Sequence, residues 1–350
     1  MDPEQKKLRD IVTGYDGPRL RIMEVCGTHT HEIFRLGVRS LLPKSIELIS
    51  GPGCPVCVTP TSFIDEALYL ATKRHVTITT FGDLVRVPGT HRSLADARSL
   101  GAKVQVVYTP LDAEKYAREH PAETVVFLSV GFETTTPGAC LAVKRAKAAS
   151  ITNFSLLTAN KTMPGAYLTM ADACDAYLYP GHVCAIDGTS VPENLAKRGI
   201  ASGVVTGFTA KEILTALAVI IKKTREGKPF FVNAYPRVVR PEGSHAAKKL
   251  VASLMEPCDA EWRGLGIIPA SGMQLRESYA SFDARKKCNI PKMEGHANPA
   301  CRCGEILQGK CKPPDCPLFG KICTPEHPTG ACMVSHEGAC SAWYQYGGII

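Results

Sequence analysis

The sequence predicts an α/β protein of two similar parallel-sheet units facing a cleft, followed by a cysteine-rich C-terminal region. Three observations carry this. Between about residues 20 and 225, β-rich runs alternate with helical ones, the pattern of parallel strands joined by helical crossovers. The alternation forms two series, roughly 20–120 and 121–225. Beyond about 225 proline, glycine and cysteine rise, and eight of the fifteen cysteines lie between Cys288 and Cys340.

In chain order, RLRIMEV is the first strand. CGTHT turns into HEIFRLGVRSLL, whose Phe34, Val38, Leu41 and Leu42 share one helical face. SIELIS is a strand, GPGCPVC a turn, and TSFIDEALYLATK a helix in which Ser62 and Asp65 have capping-box spacing. VTITTF, KVQVVYT and TVVFLSV are further strands, the last running through GFETTTPG into the helix ACLAVKRAKAA. The second series continues with FSLLTA before NKTMPGA, AYLYPGHV, and GIASGVVTGF. Its helix TAKEILTALAVIIKK is opened by a Thr209 to Glu212 capping box.

The formal charge of +8 is spread in short clusters such as Lys222-Lys223 and Arg285-Lys286-Lys287. No dense basic arm is present, so nucleic acid is not expected as a partner. No run approaches the ~20 apolar residues of a membrane span, and the N-terminus lacks a signal-peptide core. The expected location is the cytoplasm, where reductants keep thiols reduced. Metal or redox chemistry then explains fifteen cysteines better than a disulfide framework.

The tail CRCGEILQGKCKPPDCPLFGKICTPEHPTGACMVSHEGACSAWYQY holds seven cysteines, Cys301, Cys303, Cys311, Cys316, Cys323, Cys332 and Cys340. Staggered thiols with glycine and proline between them suit a soft metal site, and the absence of paired knuckles favours an iron-sulfur cluster over zinc. Seven exceed the four ligands a 4Fe-4S cluster needs, leaving some spare or redox-active. Cys54 and Cys57 form a CPVC motif between a strand and a helix, which stabilises a thiolate and permits a reversible disulfide. Cys26 occupies the corresponding turn, with His29 and His31 near it in sequence as possible bases, donors or ligands. Cys26, Cys54, Cys57, Glu133 and His182 all fall on loops leaving the carboxyl ends of predicted strands, where ligands bind in open parallel sheets. Cys140, Cys174, Cys184 and Cys258 lie in helical or strand-like surroundings and are expected to be buried and inert.

Taken together, CGTHTH, GPGCPVC, GFETTTP, PGHV, NAYPRVV, WRGLGIIPASG and the tail from CRCGEIL to GACSAWYQY resemble the hydrogenase maturation factor HypD family, from about residue 8 to 347. The resemblance implies a scaffold for assembling the Fe(CN)2CO group of nickel-iron hydrogenase, working with a HypC-type small chaperone and accepting cyanide from a HypE-type carrier. It implies Cys26 as the iron ligand with His29 beside it, and Cys54 with Cys57 as a thiol pair supporting redox change or ligand attachment. Carried over by motif position, Cys303, Cys316, Cys323 and Cys340 are the ligands of the 4Fe-4S cluster. The implied fold is two similar α/β domains flanking a cleft, 20–120 and 121–225, with a cluster domain over 226–350 on which the helix of residues 1–19 packs. Two stretches depart from the family pattern: Asn160-Lys161 with PGA stands where His-Lys before a PPA-like turn is expected, and Thr209 stands where Glu is expected. A second reading of the same thiols is an iron-sulfur-dependent thiol-disulfide oxidoreductase using the CPVC pair, which has no need of Cys26. A third is a zinc adaptor, which has no need of a CPVC motif at a helix start.

Overall fold

The computed structural model describes residues 3–347. Nine strands form two all-parallel sheets. β1 (Leu20–Glu24), β2 (Ile46–Ser50), β7 (Ala176–Pro180), β8 (Ser202–Thr206) and β9 (Phe231–Asn233) build sheet A in the order β2-β1-β7-β8-β9. β3 (Thr77–Thr80), β4 (Val104–Val106), β5 (Val125–Gly131) and β6 (Phe154–Asn160) build sheet B in the order β4-β3-β5-β6. β5 and β7 are buried at every position, as strands covered by helices on both faces must be.

Sheet membership does not follow the two sequence series. The chain lays down β1 and β2, leaves to complete sheet B, and returns for β7 to β9. The point near residue 120 therefore falls inside sheet B, and β9, beyond 225, is still a strand of sheet A. Alternation of strand and helix reports the local unit but not which sheet a strand joins, because parallel pairing is set by packing across distant crossovers.

The N-terminal helix Pro3–Thr13 is present but packs elsewhere than expected. Val12 and Tyr15 join a core cluster with Ile213, Leu217 and Ile221 of the helix Ala210–Arg225, and Asp16 pairs with Arg225 at 2.9 Å. The last helix, Ala339–Tyr346, instead lies against the helix Gly27–Arg35, with Trp343 edge-on to Phe34 at 5.4 Å. Between them, β10 (Met255–Trp262) and β11 (Gly266–Leu275) make an antiparallel hairpin. Trp262 is fully buried, stacks on Phe132 and donates its indole N–H to Ser271 Oγ at 2.8 Å.

Thr209 does cap the helix Ala210–Arg225 through a box with Glu212. The box expected at Ser62 and Asp65 is not formed: Pro60 is the N-cap, and Asp65 accepts from the backbone N–H and hydroxyl of Thr90 at 2.8 and 2.6 Å. At the other departure from the family pattern, Asn160 ties β6 to β5, accepting from Ser129 Oγ at 2.6 Å and donating to Thr136 Oγ1 at 3.2 Å.

Candidate functional site

In sheet A the chain moves outward from β1 to β2 on one side and from β7 through β8 to β9 on the other, so the switch point lies between β1 and β7. Loops leaving the carboxyl ends of the two strands diverge there and open a crevice. Cys26 follows β1 and His182 follows β7, and the fold brings Cys26 Sγ to 4.0 Å from His182 Nε2 across 156 residues of chain. Cys26 is the N-cap of the helix Gly27–Arg35. The backbone N–H groups of Thr28 and His29 favour its thiolate, yet burial, with the nearby Glu337 carboxylate second, pushes the thiol up to about 12.

His29 is completely buried. Its Nε2–H donates to the Gly207 carbonyl at 2.9 Å, which fixes that tautomer and leaves Nδ1 as a buried lone pair with no partner. Phe208 lies between the two imidazoles, 4.7 Å from His29 and 5.1 Å from His182, centroid to centroid. Burial lowers both histidines to about 4, so both rings are neutral at physiological pH. His31 is not part of this group; its Nδ1 faces the His336 carbonyl at 3.3 Å.

The CPVC turn follows β2 and is held directly against Cys26. The Gly27 N–H donates to the Gly53 carbonyl at 3.0 Å, and a Cβ at Gly53 would lie 2.1 Å from the Cys26 nitrogen. Only glycine permits that approach. Cys54 and Cys57 are both buried, and the Cys57 N–H donates to Cys54 Sγ at 3.3 Å.

The tail thiols continue from this pair. Cys303, Cys316, Cys323, Cys332 and Cys340 share one core cluster with Cys54 and Cys57, and Cys301 and Cys311 pack on its edge. Cys332 is the link: its thiol lies close enough to those of Cys303, Cys340 and Cys57 to interact with all three. Those contacts pull Cys332 below the ordinary thiol range, while burial first and Cys332 next push Cys57 up. Thr329 N–H donates to Cys323 Sγ at 3.3 Å. A Cβ at Gly330 would lie 2.6 Å from Cys303 Sγ and 2.8 Å from Cys301 Sγ. Among the described residues no three His, Cys, Asp or Glu side chains converge as one metal ion would require. A 4Fe-4S cluster asks something different, one thiolate for each iron, and a buried set made of soft sulfur donors fits that demand.

Three contributors were not singled out from the sequence. Cys332 was one tail cysteine among seven, and only packing shows that it bridges to Cys57. Glu24, wholly buried at the end of β1, accepts from Arg39 at 2.6 Å, Thr30 Oγ1 at 2.7 Å and Ser50 Oγ at 3.2 Å. It thereby ties β1, the Cys26 helix and the end of β2 together directly below the site. Glu337 reaches the Cys26 turn from the tail and accepts from Thr28 Oγ1 at 2.6 Å. An acid directly following the apolar pair Ile22-Met23 was the available signal for Glu24; nothing in local spacing marks the other two. Glu133, expected at the same crevice, lines a separate cavity that includes neither Cys26 nor His182.

Residues 4–347 match the model of the family described as "HypD: Hydrogenase formation hypA family". The chain is 42% identical over 334 residues to the hydrogenase maturation factor HypD of Escherichia coli K12, covering 93% of this chain and 89% of that one. It is 41% identical over 338 residues to the hydrogenase expression/formation protein HupD of Azotobacter chroococcum, with coverage of 93% and 89%. It is 40% identical over 343 residues to the HypD of Cupriavidus necator, with coverage of 95% and 90%. The CGTHTH turn, the CPVC pair and the thiol-rich tail thus meet in a chain that belongs to the HypD family of hydrogenase maturation proteins.

Proposed function

We propose that this protein is a cytoplasmic hydrogenase maturation factor that holds iron at Cys26 while the Fe(CN)2CO group is assembled, with a HypC-type chaperone and a HypE-type cyanide carrier as partners. The observation that carries the reading is the placement of Cys26 at the sheet A switch point, 4.0 Å from His182 and against the CPVC turn. Iron bearing cyanide and carbon monoxide is low-spin and soft, so a thiolate is the favoured protein donor. Cys26 enters as a thiol and releases its proton as it takes the metal. The neutral imidazoles of His29 and His182, with Phe208 between them, form a largely dry wall that limits access of water and oxygen to the iron.

Cys303, Cys316, Cys323 and Cys340 are the proposed holders of a 4Fe-4S cluster, which supplies single electrons when bound. Beside it, the contact of Cys332 with Cys57 allows a thiol exchange within the protein. The Cys332 thiolate attacks Cys57 of a Cys54–Cys57 disulfide, forming a Cys57–Cys332 disulfide and releasing the Cys54 thiolate, with no net oxidation.

The deciding experiment is anaerobic iron and acid-labile sulfide content with a visible spectrum, comparing the full chain with a Cys316→Ala, Cys323→Ala variant. About four iron and four sulfide, lost in the variant, are expected. Cys301→Ser is expected to keep the cluster; its loss would move one ligand from Cys303 to Cys301. Zinc without broad visible absorption would sink the cluster assignment. For the exchange step, mild oxidation of a Cys54→Ser variant should trap Cys57 joined to Cys332, read by peptide mass spectrometry. Oxidation with Cys57 and Cys332 both left as free thiols would remove that step.

A further inference from the structure

Arg263 stands in the turn that joins β10 to β11, and that turn is clamped between the two groups of cysteines. Trp262, fully buried at the end of β10, anchors it. The Arg263 backbone N–H donates to the Val58 carbonyl and its Nε–H to the Thr59 carbonyl, both at 2.8 Å, directly after the CPVC motif. On the other flank Gly264 meets Gly304, the residue after Cys303: a Cβ on Gly264 would lie 2.3 Å from the Gly304 Cα. Gly264 also has φ +81°, so glycine is required on both counts. Gln308 closes the clamp, donating its side-chain amide to the Gly264 carbonyl at 2.5 Å.

The guanidinium held in this way is short of negative charge. It forms no ion pair with a carboxylate of the described residues, and its Nη2, wholly buried, has no acceptor. Buried charges are normally paired and buried donors normally satisfied. The Arg263 charge is felt at Cys301, whose sulfur lies with that of Cys303 against Gly330. Arg302, the cation beside Cys311, is different: it already pairs with Glu305, its Nε–H donating at 3.1 Å. Arg263 therefore brings to the tail thiols a positive charge that no acid of the described chain answers.

A 4Fe-4S cluster held by four thiolates is an anion, and taking up an electron makes it more negative. We propose that Arg263 is the counter-ion of the cluster and raises its reduction potential, favouring the reduced form. This rests on the cluster assignment made above for Cys303, Cys316, Cys323 and Cys340. Arg263 is a positioning residue: it ligates no iron and acts through the field at the sulfurs. The step it governs is the uptake of one electron by the oxidised cluster from a one-electron reductant, with no bond made or broken. Because the same side chain is bonded to Thr59, two residues past Cys57, the charge is held at a fixed place relative to the CPVC pair.

The test is the midpoint potential of the anaerobically purified full chain, from a dithionite titration followed by the EPR signal of the reduced cluster. Wild type, Arg263→Gln and Arg263→Lys are compared, each with its iron and acid-labile sulfide content. Both substitutions remove the planar fork and its bond to Thr59, but lysine keeps the charge. In Arg263→Gln the reduction equilibrium should move roughly tenfold toward the oxidised form, a fall of about 59 mV for one electron. Arg263→Lys should stay within about twofold of wild type. An unchanged potential in Arg263→Gln would overturn the proposal. Equal falls in the two variants would also overturn it, since the bond to Thr59 and not the charge would then matter. Should Arg263→Gln be isolated without iron, a cluster of wild-type potential in Arg263→Lys supports the counter-ion role, and iron lost from both overturns it. Wild type lacking iron and sulfide would remove the cluster assignment itself, and this inference with it.

Discussion

Cys26→Ser is expected to lower hydrogenase maturation by roughly 100-fold or more while leaving the fold intact. Serine is close in size to cysteine, and Cys26 makes no disulfide, so its packing in the turn is largely preserved. What it loses is the soft donor. A hydroxyl is a far weaker ligand than a thiolate for low-spin iron, and the neutral histidines beside it do not replace the lost negative charge. The measurement pairs iron content of the anaerobically purified variant with hydrogenase activity in cells that carry only this variant. Full maturation by Cys26→Ser would overturn the scaffold reading in favour of a thiol-disulfide oxidoreductase working through Cys54 and Cys57. Loss of the melting transition would instead show that Cys26 is structural.

Arg39→Met should cost about 3–5 kcal/mol of stability, the penalty typical of stripping one partner from a buried ion pair. Glu24 is wholly buried, and the Arg39 side chain is only 11% exposed. Burial pushes the Glu24 carboxyl up while Arg39, Thr30 and Ser50 pull it back down. Without Arg39 the carboxylate is left in an apolar setting with two hydroxyl donors, and part of the loss is relieved by its taking up a proton. Replacing both residues, Glu24→Gln with Arg39→Met, should recover much of the loss, because the orphan charge is gone. Denaturant unfolding of the two singles and the double closes the cycle. A cost below about 1 kcal/mol for Arg39→Met would mean that the pair behaves as a surface ion pair. Glu24 lies two residues before Cys26, and Ser50 lies four before Cys54, so this pair holds both cysteine turns at their spacing.

Much of the site could be read without a structure because its pieces are local. Cys26 and the CPVC motif each sit where a β-rich run gives way to a helical one, and a strand followed by a helix puts such a turn at a sheet's carboxyl edge whatever the rest of the chain does. The Thr209 capping box is local in the same way and forms as its spacing predicts. The Ser62 box has the same spacing and does not form, since Asp65 finds better donors in Thr90, twenty-five residues away. Spacing offers a cap, and tertiary competition decides whether it is taken.

By itself the sequence determined the α/β class, the turns that carry Cys26, Cys54 and Cys57, and the concentration of thiols in the tail, all of them matters of residue type and short-range period. Tertiary structure decided the rest. It sent β3 to β6 into a separate sheet between β2 and β7, and set the N-terminal helix on Ala210–Arg225 rather than on the tail. It brought His182 to Cys26, chose Cys332 among seven tail cysteines as the contact for Cys57, and turned Glu133 into a different cavity. These pairings join positions up to about 275 residues apart. No local period records them, because they are fixed by which apolar faces must be buried together and which buried polar groups must then find partners.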